Sequence, residues 1–297
     1  MKLKNRKWKK MTVEDLIMDL AVYTVLIALT LLCFYPIWYV LIASFTNSTE
    51  LMKNPGFLLW PENFVGQAYE LVFQNPRFIT SFMNSIKILV LGLPINIVLT
   101  LLCGYFLACR GMMWKKPLAF MVMFTMFFGG GMIPAYLNVR SLGLYNTIWA
   151  LVLPGALSVY NAIICKTAIE AVPESLQESA YIDGANDFQI IFKIIMPLIK
   201  PTLAVLLLYY GVGHWNSWFQ ASIYIKDNDK LPVQNILRSI LLANQDLAGS
   251  GSADSYNAYA ETIKYAAIVV STFPILCIYP FLQKYFTKGA MIGAVKG

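Results

Sequence analysis

A polar segment interrupts the apolar stretches of this chain at residues 178–184, where the sequence reads Glu-Ser-Ala-Tyr-Ile-Asp-Gly. Ile-Ile-Met-Pro follows at residues 194–197. Pro173 is well placed to start a helix, and Gly184 can end it in a left-handed cap. These residue types favour a polar helix–turn–helix element that another protein could bind.

The second half of this element follows directly. Asn186 and Asp187 can cap a short helix with an apolar face of isoleucines, and Pro197 and Pro201 are expected to close it. Residues 169–200 therefore form the longest of the loops that we place on the cytoplasmic side.

Uncharged polar side chains inside the apolar stretches are a second set of candidates. They are costly in lipid and usually face a bundle interior or a cavity. Aromatic faces with nearby amides and hydroxyls suit the binding of sugars, so the candidate substrate pathway consists of Asn96, Asn161, Tyr210, His214, Trp215 and Asn216. Two alternatives stay open: Asn96 can form an interhelical hydrogen bond, and the aromatic residues, Trp218 among them, can form a belt at the membrane interface.

Several kinds of chemistry have no sequence signal. The chain contains no phosphate-binding loop with a following lysine, and no nucleophile or metalloprotease motif. Its five cysteines lie at irregular spacing and it has a single histidine, which excludes a Cys/His zinc site. We therefore expect no catalytic residue, no metal site and no cofactor in this chain, and we interpret residues 129–131, Gly-Gly-Gly, as a packing or kink site.

The composition identifies the elements that must position these residues. Of 297 residues, 58% are hydrophobic and 13% are charged, too apolar for a soluble fold. Six stretches are long enough to cross a bilayer as helices. They are residues 18–43, 83–108, 118–137, 147–168, 201–222 and 263–283. The prediction is an all-α, polytopic membrane protein with six transmembrane helices.

The lysines and arginines give the orientation. Most of the 23 flank the first span on its N-terminal side or lie in the short loops on that side, so both termini are predicted to be cytoplasmic. The net charge of +7 is thus a topology signal, and no nucleic-acid partner is expected. External loops at 44–82 and 223–262 are longer; the second mixes a mobile polar excursion with an amphipathic helix at 232–242.

These features divide the chain into three parts. Residues 1–17 form a basic cytoplasmic segment, residues 18–283 form the six-span domain, and residues 284–297 form a cytoplasmic tail. The six-span domain includes the loops at 169–200 and 223–262.

At residues 178–197 the chain resembles a known family. Glu178, Ala180, Gly184 and the downstream Met-Pro match the spacing of the EAA loop of binding-protein-dependent ABC importer permeases. Ser179 and Met196 depart from the usual alanine and leucine. The surrounding sequence is similar to carbohydrate-uptake permeases, and Gly-Gly-Met-Ile-Pro and Gly-His-Trp-Asn, at 130–134 and 213–216, resemble permeases for complex oligosaccharides and aldouronates.

The resemblance implies an ABC importer permease fold in the inner (cytoplasmic) membrane of a bacterium. Its partners would be a second homologous permease, two cytoplasmic ATPase subunits that bind ATP and Mg²⁺, an external sugar-binding protein and an oligosaccharide. It implies ATPase coupling by Glu178, Ser179, Ala180, Asp183, Gly184 and Pro197. The C-terminus resembles the end of the maltose-transporter permease, which implies ATPase contact by Gly289, Gly293, Lys296 and Gly297.

Rival interpretations are an ABC permease for a peptide or an amino acid, a secondary transporter, and a membrane enzyme or scaffold. The sequence around the EAA-type loop disfavours the first. A secondary transporter would be supported by inverted repeats and intramembrane carboxylates, and the sequence shows neither.

Overall fold

The computed structural model describes residues 13–53, 56–109, 113–248, 261–278 and 280, and this part of the chain is helical, without a strand. The helices are α1 Val13–Ala43, α2 Ser48–Lys53, α3 Gln67–Gln74, α4 Pro76–Ala108, α5 Lys115–Phe127, α6 Met132–Ser141, α7 Trp149–Val152, α8 Val159–Glu170, α9 Glu174–Ile182, α10 Asp187–Leu198, α11 Lys200–Trp215, α12 Trp218–Tyr224, α13 Val233–Ala248 and α14 Glu261–Ile278. The all-α prediction is confirmed.

Fewer helices than expected are unbroken spans. Within the described residues, α1, α4 and α14 are long and apolar enough to cross a membrane, and the number reaches five if the bent pairs α5–α6 and α10–α11 each count as one. The six-span count is therefore not confirmed. The helices of the first two predicted spans, α1 and α4, begin at Val13 and Pro76, ahead of the predicted 18 and 83.

The other predicted spans are interrupted for local reasons. At the Gly-Gly-Gly sequence the chain turns by 114° between α5 and α6, with Gly131 at a φ of +88°. The predicted span 147–168 breaks between α7 and α8 at residues 153–158, which contain Pro154. The predicted span 201–222 breaks after α11, at Asn216 and Ser217.

The chain divides into two compact units, residues 1–72 with 247–269, and residues 73–246 with 270–297. In the first unit, most of α1 exposes its apolar side chains, and only its end is buried. Ile42 and Ala43 pack there with Leu51 and Leu58. A long apolar helix with so little protein around it is suited to lipid or to another subunit.

In the second unit, α4 is the central helix and packs against α8 and α11. One apolar core joins α4, α8 and α11 to α9 and α10, and includes Leu101, Cys165, Ile195 and Leu206. Another joins α4 to α6, α7 and α12 around Ile88 and Val152. Because both cores contact α4, this helix links the two regions that carry the candidate site residues.

The described start of the 223–262 loop is ordered, contrary to the predicted mobile excursion. Asn146 accepts from the backbone nitrogens of Lys226 and Asp227 at 3.0 Å each, and Asn84 donates to the carbonyl of Asp229 at 2.7 Å. The amphipathic helix predicted at 232–242 is confirmed as α13. Residues 249–260, with the Gly-Ser sequence, lie outside the described residues.

Candidate functional site

The helix–turn–helix element predicted at 169–200 is present as α9 and α10. Pro173 precedes the first residue of α9, and Gly184 follows its end with a φ of +80°. Gly184 N donates to Tyr181 O at 3.0 Å and Ala185 N donates to Ala180 O at 2.9 Å. These two bonds form a Schellman motif, in which the residue after the helix must adopt a left-handed conformation, so glycine is needed here.

The second helix begins with a capping box. Asn186 Oδ1 accepts from Gln189 N at 2.9 Å, and Gln189 Oε1 accepts from Asn186 N at 3.1 Å. A π-helical stretch, Ile190–Ile195, follows. Pro197 lies inside α10 rather than closing it, because a proline in an α-helix clashes with the carbonyl four residues earlier and the wider π-turn before Pro197 relieves that crowding.

The break comes later, at Ile199, and the chain turns by 90° between α10 and α11. Pro201 is therefore at the start of α11, where a missing N–H is tolerated. The second helix therefore ends at Leu198, between Pro197 and Pro201, as predicted, although Pro197 lies within its last turn.

An apolar core holds the pair in place. Ala180 of α9 and Ile190 and Ile195 of α10 are buried with Leu101 of α4 and Cys165 of α8. Glu178, Ser179, Asp183 and Gly184 are exposed, and so is Pro197. Of the six residues predicted to couple to an ATPase, only Ala180 faces inwards.

A polar cluster at the turn was not predicted. The hydroxyls of Tyr105 and Tyr181 donate to Asp187 Oδ1 at 2.9 and 2.5 Å, and the two hydroxyl oxygens are 2.9 Å apart. The hydrogen bond to Asp187 raises the pKa of Tyr181 above its usual value. The cluster ties α9 and α10 to α4, and its residues are too far apart in sequence to be grouped by spacing.

Two exposed apolar side chains flank the same turn. Ile182 is 87% exposed and Phe188 is 64% exposed. Large apolar groups in such positions mark surfaces that bind a partner. The acidic residues of the motif thus lie beside two exposed apolar side chains that the sequence analysis had not singled out.

The second candidate region is a cleft of about 910 Å³. Its polar lining consists of Ser158, Tyr160, Asn161, Tyr209, Tyr210, His214, Ser217, Gln220 and Tyr224. Among the described residues, no lysine, arginine, aspartate or glutamate lines it. Asn161, Tyr210 and His214 were predicted pathway residues, whereas Ser217, Gln220 and Tyr224 were not, because the break after α11 places α12 beside the cleft in a way that a continuous helix would not.

Asn96 is fully buried and does not line the cleft. Its Nδ2 donates to Gly155 O at 3.2 Å and to Ala156 O at 2.8 Å, and its Oδ1 lies 2.8 Å from Nε2 of His214. Since the amide nitrogen binds two carbonyls, Oδ1 is the atom that faces the imidazole, and Nε2 must donate. In neutral His214 the other ring nitrogen, Nδ1, is then an acceptor.

A second polar contact lies one turn along α4. The hydroxyls of Thr100 and Tyr210 are 2.7 Å apart, and Tyr210 also accepts from Ser158 N at 3.0 Å. Both sets of bonds end on the backbone between α7 and α8. An interrupted helix is tolerated at membrane depth only where protein groups satisfy its freed backbone atoms, so Asn96 and Tyr210 hold this break in place.

Two predicted pathway residues are elsewhere. Trp215 is 2% exposed, donates from Nε1 to Ser271 O at 3.0 Å, and packs edge-on against Phe82. Asn216 is exposed but does not line the cleft. Successive residues of a helix point in different directions, so the three consecutive residues 214–216 cannot share one wall.

Three predictions remain, on Trp218, on metal binding and on the C-terminal residues. Trp218 lies under the guanidinium of Arg238, 4.0 Å from the ring centroid. No group of residues that could hold a metal ion occurs in the described part of the chain. Gly289, Gly293, Lys296 and Gly297 lie outside the described residues.

The fold and the two regions define a multi-pass α-helical membrane protein with a neutral cleft and an exposed helical pair. The family model for "binding-protein-dependent transport system inner membrane component" matches residues 17–291. The chain belongs to this family. It is a bacterial inner-membrane transport component, and ATP hydrolysis resides in separate subunits.

Two relatives and a solved structure agree with this family assignment. The polygalacturonan/rhamnogalacturonan transport system permease protein YtcP of Bacillus subtilis (strain 168) is 40% identical over 96% of this chain and all of its own length. Protein LplC of the same organism is 42% identical over 88% of this chain and 89% of its own. A chain of a bacterial ABC transporter involved in the import of the acidic polysaccharide alginate has a TM-score of 0.85 and 31% identity, covering 93% of this chain and 98% of that one.

Proposed function

We propose that this chain is the permease subunit of an ATP-binding-cassette importer that carries an oligosaccharide, of the acidic type, across the inner membrane by alternating access. The neutral, hydroxyl- and aromatic-lined cleft beside a broken helix is the observation that supports a sugar pathway. Relatives named for polygalacturonan and rhamnogalacturonan transport, and the likeness to an alginate importer, support the substrate class.

The exposed end of α9 is the proposed contact with an ATPase subunit. Glu178, Ser179, Asp183 and Gly184 would face the partner, with Ile182 and Phe188 filling apolar pockets beside them. The core around Ala180 and Ile195 would carry the movement to α4, α8 and α11. Closure of the ATPases would then tilt the helices that border the cleft.

The cleft suggests a division of labour between subunits. An acidic oligosaccharide presents hydroxyls, ring faces and carboxylates, and the described cleft lining offers tyrosines, amides and one imidazole but no cation. Tyr160, Asn161 and Gln220 would contact hydroxyls and ring faces. Cations for the carboxylates would come from the second permease, with which this chain would form the complete pathway.

The other partners follow from the family. A substrate-binding protein would deliver the sugar to the external side, at the loops near 44–82 and 223–262, and residues 289–297 would reach between two ATPase subunits. A solved alginate transporter in complex with a pentasaccharide-bound periplasmic protein, 18% identical with a TM-score of 0.58, shares the fold.

One reconstituted system tests both regions. The full complex in proteoliposomes is assayed for binding-protein-stimulated ATPase activity and for uptake of an oligogalacturonide. Gly184→Pro should abolish both, because proline cannot adopt a φ of +80°. Gly184→Asn is the matched control, since asparagine tolerates the left-handed conformation. Glu178→Ala should lower ATPase co-purification without unfolding α9, where it is exposed.

Cleft variants should behave differently. Gln220→Ala and Tyr160→Ala should lower uptake at least tenfold while stimulated ATPase activity remains, with Phe219→Ala, exposed and outside the cleft, as the control. Full coupling in Gly184→Pro would reject the ATPase contact and favour a secondary transporter. Unchanged uptake in both cleft variants would reject this pathway, and uptake of a peptide instead of the sugar would reject the substrate class.

A further inference from the structure

The segment after α2 folds back along the outside of α1. Tyr35 donates from its hydroxyl to Gly56 O at 3.0 Å, and Trp38 donates from Nε1 to Leu59 O at 2.9 Å. Tyr35 and Trp38 precede the end of α1 at Ala43 by about 12 and 8 Å of helix axis. Residues 56–60 therefore lie beside the last turns of α1 rather than beyond its end.

One side chain of this segment is buried, and the residues on either side of it are exposed. Leu58 is 5% exposed and packs with Ile42 and Ala43. Its neighbours point outwards: Phe57 is 68% exposed, Leu59 56% and Trp60 63%. Buried Leu58 fixes the segment to the protein, so the exposure of its neighbours is a feature of an anchored structure.

Rings extend this surface along α1. Phe57 stacks on Tyr35 with centroids 5.9 Å apart, and Trp60 lies 6.4 Å from Trp38. Phe34 of α1, 52% exposed, stacks on Trp38 with ring centroids 5.9 Å apart. The aromatic surface is thus continuous with a helix long and apolar enough to cross a membrane.

The hydrogen bonds indicate what covers this surface. In water, the carbonyls of Gly56 and Leu59 could bind solvent; in a bilayer, a non-helical backbone needs partners from the protein. Tyr and Trp supply them here, and both are the residue types that concentrate where a membrane meets water. The polar, exposed Glu62 and Asn63 follow the segment immediately.

From these contacts we infer that residues 56–60 are an interfacial membrane anchor, inserted into the lipid boundary at the C-terminal end of α1. The covering partner is lipid: headgroups beside Gly56 and acyl chains beside Phe57, Leu59 and Trp60. The anchor would fix the depth and tilt of α1, which has little protein packing of its own. The inference does not depend on the identity of the transported solute.

Spin labels test the inference in the assembled complex in nanodiscs. A nitroxide at Leu59→Cys or Trp60→Cys, with the five native cysteines replaced, should relax strongly with oxygen and several-fold less with a water-soluble nickel chelate. Asn63→Cys is the matched control and should show the reverse. Strong nickel relaxation at 59 and 60 would overturn the inference in favour of a solvated loop. Weak relaxation by both reagents would also overturn it, because a protein partner would then cover the segment.

A milder substitution avoids the risk of misfolding. Trp60→Phe keeps an aromatic ring, and the fluorescence lost relative to the wild type reports Trp60 among the seven tryptophans. That difference signal should be quenched by lipids brominated near the headgroup end of the chain and little by aqueous iodide. Quenching by iodide alone would contradict the anchor.

Discussion

Two faces of α4, a cleft face and a core face, hold their neighbours by different means. On the cleft side, Asn96 and Thr100 are buried and form hydrogen bonds with a chain break and with α11. On the other side, Leu101 and Tyr105 belong to an apolar core shared with α9 and α10. Neighbouring faces of one helix thus carry polar contacts where a backbone is interrupted, and apolar contacts where whole helices pack.

This difference follows from the backbone hydrogen bonds that the neighbours of each face still need. At the break between α7 and α8, peptide groups have lost their helical partners, and lipid offers none. At the helical pair, the Schellman motif and the capping box already satisfy the chain ends, so α4 supplies mainly packing there, with one hydrogen bond from Tyr105 to Asp187. We expect the cleft face to be intolerant of lost polar atoms and the core face to be intolerant of added volume.

The largest effect is expected for Asn96→Leu. The leucine fills similar space but removes the donor for Gly155 and Ala156 and the acceptor for His214. Ala156 and His214 are buried, and each buried group left without a partner costs about 1–3 kcal/mol, so the loss should be about 2–6 kcal/mol and lower Tm by about 5–10 °C. Thermal unfolding of the purified complex, followed by tryptophan fluorescence, measures it.

Thr100→Val is the matched control for Asn96→Leu. It is close in volume, one turn away, and removes a single hydrogen bond to Tyr210, so its cost should be about 1 kcal/mol. Equal Tm values for the two variants would show that the break does not depend on Asn96.

Two glycines of α4 sharpen the comparison with an intermediate effect. A Cβ at Gly92 would lie 2.7 Å from Nε2 of His214; at Gly104 it would lie 2.9 Å from Cβ and Sγ of Cys165. Gly104→Ala should therefore overpack α4 against α8 and cost about 1–3 kcal/mol. Gly92→Ala should instead push the imidazole away from Asn96 and reduce uptake more than it reduces Tm.

Paired uptake and unfolding measurements on both glycine variants check this. If Gly92→Ala left uptake unchanged and Gly104→Ala left Tm unchanged, α4 would be free to shift, and neither close approach would constrain it.

Local signals in the sequence were sufficient for the helical pair. Gly184 needs a left-handed conformation and Asn186 needs a helix start, and both requirements are met within a few residues. That Pro197 lies within the last turn of α10 could not be predicted, because the π-turn that accommodates it has no sequence signature of its own. The Tyr105–Asp187 contact could not be predicted, since it joins residues whose proximity depends on the tertiary fold.

The cleft was harder to predict because it depends on helix breaks. Hydropathy averages over Pro154 and over Asn216 and therefore counts continuous spans where the chain turns. Those turns decide which polar residues share a wall: Gln220 enters the cleft, whereas Trp215 faces Ser271. The kinds of residue at the site could be predicted from the sequence. Which individual residues line the cleft could not.

The smallest effect is expected at an exposed ion pair in the loop that follows α12. Asp227 Oδ2 accepts from Lys230 Nζ at 2.9 Å and from Asn146 Nδ2 at 2.8 Å. The hydrogen bond from Lys230 holds the pKa of Asp227 below its usual value, and the one from Asn146 adds to this. A lowered pKa stabilises the folded chain above the pKa of the unfolded state, and this stabilisation is lost as the pH falls through the lowered pKa.

Asp227→Asn should therefore lower Tm slightly at pH 7, and the difference from the wild type should shrink as the pH falls through the lowered pKa, where the wild-type carboxylate also becomes neutral. Added salt should shrink it as well, because an exposed pair is screened. Asp229→Asn is the control, since the contact of Asp229 with Asn84 uses its backbone carbonyl. A difference that grew towards low pH would mean that the amide, and not the missing charge, disturbs the loop. A Tm loss as large as that of Asn96→Leu would remove the distinction between satisfied groups inside the protein and ion pairs on its surface.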